Sequence, residues 1–170
     1  YVDLAEQGEI SFAGSDQAVW LDRLQLEQDN LRAALGWAIP SDARLRLAAA
    51  LWRFWYQRGP LAEGRAWLEG ALRRSPGCAP DIRAKALSGA GNLAAQQGDY
   101  AAAQALHEES LTLRRRMGDQ LGVSGSLNNL GIVARARGEG RAALDYLSES
   151  LSICRQLGDE ARIAAALLNL

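Results

Sequence analysis

The sequence predicts an all-α protein: an α-α superhelix of antiparallel helix hairpins, repeating about every 40 residues. Three observations predict it. The segment Gly91–Leu130 falls on Gly131–Leu170 with 14 identities in 40 aligned pairs, including Gly98 on Gly138, Ala103 on Ala143, and Glu109-Ser110-Leu111 on Glu149-Ser150-Leu151. Glycines at 98, 118, 138 and 158 stand 20 residues apart, and each is followed by an acid (Asp99, Asp119, Glu139, Asp159). Glycine reaches the left-handed conformation that ends a helix, and Asp caps the free N–H groups that begin the next. Between these punctuation marks the apolar residues recur at helical spacing, as in Leu106, Leu113 and Met117, then Leu127, Leu130, Val133 and Ala134. Helices of roughly 18 residues, about 27 Å long, fill the intervals.

In chain order, Tyr1–Gln7 reads as the tail of a helix stopped by Gly8, and Glu9–Gly14 as a short connection. Ser15 or Asp16 then caps a long helix with Trp20, Leu21, Leu24, Leu31, Leu35 and Ala38 on its apolar face. Pro40 ends it, and Asp29-Asn30, poor residues for a helix interior, mark a place where it can break. Ser41 or Asp42 caps the next helix, which runs to Arg58 and is stopped by Gly59; Pro60 opens another, Leu61 to about Arg74. This pair aligns with the later hairpins at an offset of 39, which sets Trp52 at the position of Gly91 and Gly64 at that of Ala103. A large residue facing a glycine keeps the volume of the pair constant, so Trp52 is expected to pack on Gly64. The loop Ser75–Ala79 separates this pair from the helix opened by Pro80-Asp81. The expected organisation is one domain: 1–40 as leading helices, 41–79 as a diverged aromatic-rich repeat, 80–118 and 119–158 as regular repeats, and 159–170 as a cut helix. With no initial Met and an unfinished last helix, the chain reads as a fragment of a larger protein.

Composition excludes several function classes. Nineteen Lys and Arg against 20 Asp and Glu give a formal charge of −1, so no global field draws the chain to nucleic acid or an anionic membrane. No apolar run of about 18 residues or signal peptide is present, and a cytoplasmic location is expected. Cys78 and Cys154 fit no CxxC pattern and read as buried thiols. The Ala-, Leu- and Arg-rich composition, with Lys85 the one lysine, suggests a GC-rich bacterial genome. No GxxxxGK[ST] motif or strand-borne GxGxxG is present, and no metal-ligand cluster or nucleophile–His–acid set, so no cofactor, metal or catalytic residue is expected. His107, the one histidine, reads as a packing residue, and Arg114-Arg115-Arg116 as a solvated helix end favoured by the helix dipole. The five tryptophans, all within the first 67 residues, read as core joining the leading helix to the first hairpin rather than as a ligand box.

Leu130-Gly131, Gly138, Ala143, Leu147 and Ser150, with the copy Ala90-Gly91, Gly98, Ala103, His107 and Ser110, resemble the tetratricopeptide repeat. The small residues let two helix axes approach, Gly131 being expected opposite Ala143. The usual unit is about 34 residues, so a 40-residue period implies longer helices around Gly118 and Gly158; HEAT repeats are the second reading. In tetratricopeptide arrays the first helix of each pair lines a concave groove. Carried onto this chain, the resemblance implies a groove of Arg46, Arg53 and Tyr56, then Lys85, Ser88, Asn92 and Gln96, then Asn128, Asn129, Ile132 and Arg135. Lys85, Asn92 and Asn129 partly resemble the arrangement with which some members hold a terminal carboxylate. The competing reading has Asn129 and Asn169 bonding to backbone between helices.

The stretch WLDRLQLEQDNLRAALGWA (Trp20–Ala38), with LRLAAALWRFWYQRGPLAEGRAWLEGAL (Leu45–Leu72), resembles large bacterial ATP-binding (STAND) transcriptional regulators of the MalT-like or LuxR type. The resemblance implies a sensor or scaffold portion whose ATPase and DNA-binding parts lie outside this chain. It implies no enzyme, no direct nucleic-acid or membrane contact, and a protein or peptide partner in the groove, which includes another domain of the same chain. A small-molecule inducer site is the alternative. The apolar face Ile163, Leu167, Leu168 and Leu170 would make any dimer through the last helix a suspected consequence of truncation.

Overall fold

A computed structural model describes residues 1–11, 16–37 and 40–170. Among the described residues there are ten helices and no strand. They are α1 (Val2–Ser11), α2 (Gln17–Leu26), α3 (Gln28–Gly36), α4 (Ser41–Gln57), α5 (Leu61–Arg74), α6 (Pro80–Gln96), α7 (Tyr100–Met117), α8 (Gln120–Ala136), α9 (Gly140–Leu157) and α10 (Glu160–Asn169). Sequential helices pack as hairpins, α4 on α5, α6 on α7 and α8 on α9. The first helices also touch one another, α4 with α6, α6 with α8 and α8 with α10, and this row forms the inner layer.

Helix ends follow the punctuation of the sequence. Gly98, Gly118, Gly138 and Gly158 have φ between 68° and 79°. Asp119 accepts from the Gly122 N–H at 2.8 Å and Asp159 from that of Arg162 at 3.0 Å, so each caps the helix it opens. Helices α6 to α9 are 17 or 18 residues long, which accounts for the 40-residue period.

Four local expectations are corrected. Gly8 does not stop α1, which continues to Ser11; a Cβ on Gly8 would lie 3.3 Å from the Trp20 ring, so this glycine serves close packing. The long leading helix is two helices that break at Glu27, just ahead of Asp29, whose charge sits in the first turn of α3. Pro40, not Ser41 or Asp42, holds the N-cap position of α4; Ser15 and Ala38 lie outside the described residues. Trp55, one turn after Trp52, is the residue that packs on Gly64, where a Cβ would fall 2.5 Å from its ring; Trp52 lies instead against Gly89 of α6.

The core runs from Ala5 through Leu24, Leu35, Leu51, Phe54 and Trp55 to Leu68, Leu87 and Leu93, with Trp20, Trp52 and Trp67 packed on it. Trp37 departs from the expectation, being 76% exposed. In the two regular hairpins a residue of the second helix fills the space left by a glycine of the first. Leu147 packs on Gly131 and the His107 ring on Gly91, one turn beyond Ala143 and Ala103. Ser110 donates to the Ala84 carbonyl and Ser150 to that of Ser124, both at 2.8 Å and at equivalent places in the two repeats.

Candidate functional site: a polar groove on the inner layer

Two adjoining concavities lie along the inner layer. One, of about 360 Å³, is lined by Trp52 and Arg53 of α4, Lys85, Ser88 and Asn92 of α6, and Ser124, Gly125, Asn128 and Asn129 of α8, with Arg162 and Ala165 of α10 at its far end. The other, of about 550 Å³, takes Tyr56, Gln96, Tyr100, Ile132, Val133 and Ala136. Trp52, Arg53, Asn92 and Asn129 line both, so the two are parts of one groove. Helical periodicity explains the pattern: Lys85, Ser88, Asn92 and Gln96 lie on one face of α6 at spacings of three and four.

Of the residues expected in the groove, Arg53, Tyr56, Lys85, Ser88, Asn92, Gln96, Asn128, Asn129 and Ile132 border these concavities. Arg46 does not. It forms an ion pair with Glu6 at 2.8 Å, because α1 packs against α4 and covers that end. Arg135 does not either; its guanidinium donates to the Asn169 carbonyl at 2.8 Å across to α10. Asn169 donates to the Asn128 side chain at 2.9 Å, not to backbone, and the Asn92 and Asn129 side chains make no hydrogen bond among the described residues.

Three charged residues of the groove were not expected there. Glu9 of α1 reaches Lys85 and pairs with it. Arg162 of α10 lies 3.2 Å from Asp159. Arg114 belongs to α7, an outer helix, and of the three arginines at its end it alone turns inward, donating to the Gly122 carbonyl at 2.7 Å. Arg115 instead pairs with Glu149 at 2.7 Å. Gly122 and Gly125 make room: a Cβ on Gly125 would lie 3.4 Å from Arg162 Nη1 and 3.8 Å from Arg114 Nη1. Two glycines inside a helix were the sequence signal, since glycine is unfavourable there unless something approaches closely. Burial pushes the Arg114 guanidinium pKa down, Asp119 opposes the shift, and Arg162 adds to it.

His107 borders the second concavity but is itself fully buried, and neither ring nitrogen has a hydrogen-bond partner. Burial lowers its pKa to about 4, which makes it a neutral packing residue. Both cysteines are buried and unbridged. Among the described residues no group of three or more His, Cys, Asp or Glu is placed to hold a metal, and no helix is long and apolar enough to cross a membrane.

Stacked helix hairpins around a continuous groove define the class of protein as a helical-repeat array. Residues 83–117 and 123–157 match the tetratricopeptide repeat family, whose repeats generally mediate protein–protein interaction. Among solved structures, BtubC (BKLC) from P. vanneervenii superposes with a TM-score of 0.64 at 20% identity, over 86% of this chain. The chain spans 61% of the length of that protein, and at this identity the likeness is one of fold. No curated protein matches the sequence.

Proposed function

We propose that this chain is a non-enzymatic docking module that binds a protein segment along the groove of its inner layer. The observation that supports this best is the continuity of the two concavities through Trp52, Arg53, Asn92 and Asn129, which provides an elongated surface with unpaired carboxamides along its length. Such a surface suits a chain segment, with polar side chains fixing register and preformed helices keeping the ordering penalty low. The resemblance of Trp20–Ala38 and Leu45–Leu72 to the STAND regulators supports a further reading: the module is the sensor portion of a bacterial transcriptional regulator, and its partner is another protein or another domain of the same chain.

The test measures thermal shifts of the chain with a peptide pool and with a metabolite panel, and repeats them on Asn92→Ala and Asn129→Ala variants. Docking predicts shifts with peptides that both variants diminish. Shifts with metabolites alone would replace the docking reading with that of an inducer-binding sensor.

A further inference from the structure

The serine hydroxyls of the smaller concavity are already spent as donors. Ser110 donates its hydroxyl hydrogen to Ala84, which makes Ser88 the donor in the Ser88–Ser110 pair at 2.9 Å. Ser124 donates to the Leu121 carbonyl and Ser150 to that of Ser124. The hydroxyl hydrogens at this site are therefore committed within the protein. The donors left free belong to the guanidinium groups and to the Asn92 and Asn129 carboxamides; the carboxamide oxygens also accept, so it is the guanidinium groups that favour an acceptor-rich ligand.

Charge points the same way. Four cations (Arg53, Lys85, Arg114, Arg162) and one carboxylate (Glu9) line the concavity. Glu9 neutralises Lys85, and Asp159 pairs with Arg162. Arg53 and Arg114 have no ion-pair partner among the described residues; Arg53 stacks over the Trp52 ring at 5.2 Å. Burial, with Arg162 nearby, depresses the Arg114 pKa despite the opposing charge of Asp119. The adjoining concavity differs in kind, since Tyr56 and Ile132, 44% and 37% exposed, offer apolar surface to water there.

We propose that the occupant of the groove is an acidic protein segment: a side-chain carboxylate is held among Arg53, Arg114 and Arg162, and a neighbouring apolar side chain lies against Tyr56 and Ile132. This rests on the docking reading above and specifies the chemistry of the partner. Planar guanidinium groups match a carboxylate geometrically, and two arginines converging on Gly125 from α7 and α10 provide a site assembled across three helices.

The experiment selects binders to the full chain from a pool of random peptides amidated at the C-terminus, so that no chain-end carboxylate takes part. Expected is enrichment of Asp or Glu beside an apolar residue. A selected peptide should bind Arg53→Gln about tenfold more weakly, while its Asp→Asn copy distinguishes the two proteins little. Arg53 is exposed, so its variant leaves the fold intact; Arg114→Gln is read alongside with a thermal melt. Peptides selected with no acidic preference, or bound equally by Arg53→Gln, would overturn the acidic-segment inference and leave docking standing. A phosphoserine copy binding far more tightly than the Asp peptide would overturn the carboxylate in favour of a phosphoryl group. Absence of any peptide binder, with free glutamate or inorganic phosphate bound in an Arg53-dependent way, would overturn both readings.

Discussion

Replacing His107 by Leu should stabilise this protein, and the gain should grow as the solution is acidified. The second repeat supplies the control, because Leu147 occupies the equivalent position and packs on Gly131 as the His107 ring packs on Gly91. At pH 7 the native histidine is neutral, with two buried nitrogens lacking partners. Leaving such groups unsatisfied costs about 1–3 kcal/mol, which Leu would recover. The pKa of His107 lies at about 4 in the folded protein against 6.5 for the free side chain, with burial as the main cause and Arg114 as a smaller one. The unfolded chain thus binds a proton that the native state excludes between those values. Stability associated with the neutral ring is fully present above pH 6.5 and is lost as pH falls toward 4. The linked loss is about 3 kcal/mol. Urea denaturation of the parent and of His107→Leu at a series of pH values measures the difference directly, since carboxylates titrating in both proteins cancel. Parallel stability profiles from pH 7 to pH 4, or a His107→Leu protein less stable at pH 7, would refute the reasoning.

Other substitutions separate the sources of stability. Gly131→Ala would place a Cβ 2.5 Å from Leu147 Cγ and should destabilise by about 1–3 kcal/mol in thermal or urea unfolding. Gly138→Ala meets no atom within 4 Å, so its penalty of about 1 kcal/mol should reflect only the positive φ of 79°. Asp119→Ala removes the side-chain cap of α8 and should lower stability by about 1 kcal/mol, with faster amide exchange at Gly122 as the local signature. Ser150→Ala deletes the bond to the Ser124 carbonyl that joins α9 to α8, again at about 1 kcal/mol in urea unfolding.

Much of the architecture is a local property and was therefore legible in the chain. Gly98, Gly118, Gly138 and Gly158 end helices because only a residue without Cβ takes positive φ freely, and Asp119 and Asp159 start helices through bonds three residues ahead. A 40-residue period repeats these local events, so helix identity and hairpin order follow from it. The same periodicity sets Lys85, Ser88, Asn92 and Gln96 on one face before any partner helix is known.

Pairing across space was decided only by the tertiary structure. Trp52 and Trp55 are one turn apart, and sequence offset cannot tell which meets Gly64; the rotation of α4 against α5 and α6 gives Gly64 to Trp55 and Gly89 to Trp52. Arg46 and Arg135 share the periodicity of the groove residues, yet Glu6 on α1 and the Asn169 carbonyl on α10 hold them outside the concavities, because packing at either end of the inner row sets their partners. Arg114 shows the converse. Its run of three arginines reads as a solvated helix end, but the gap over Gly122 and Gly125 admits the long side chain into the groove. Spacing along one helix fixes which face a residue occupies; what that face meets depends on helices far away in the chain, and there the charge of the groove is determined.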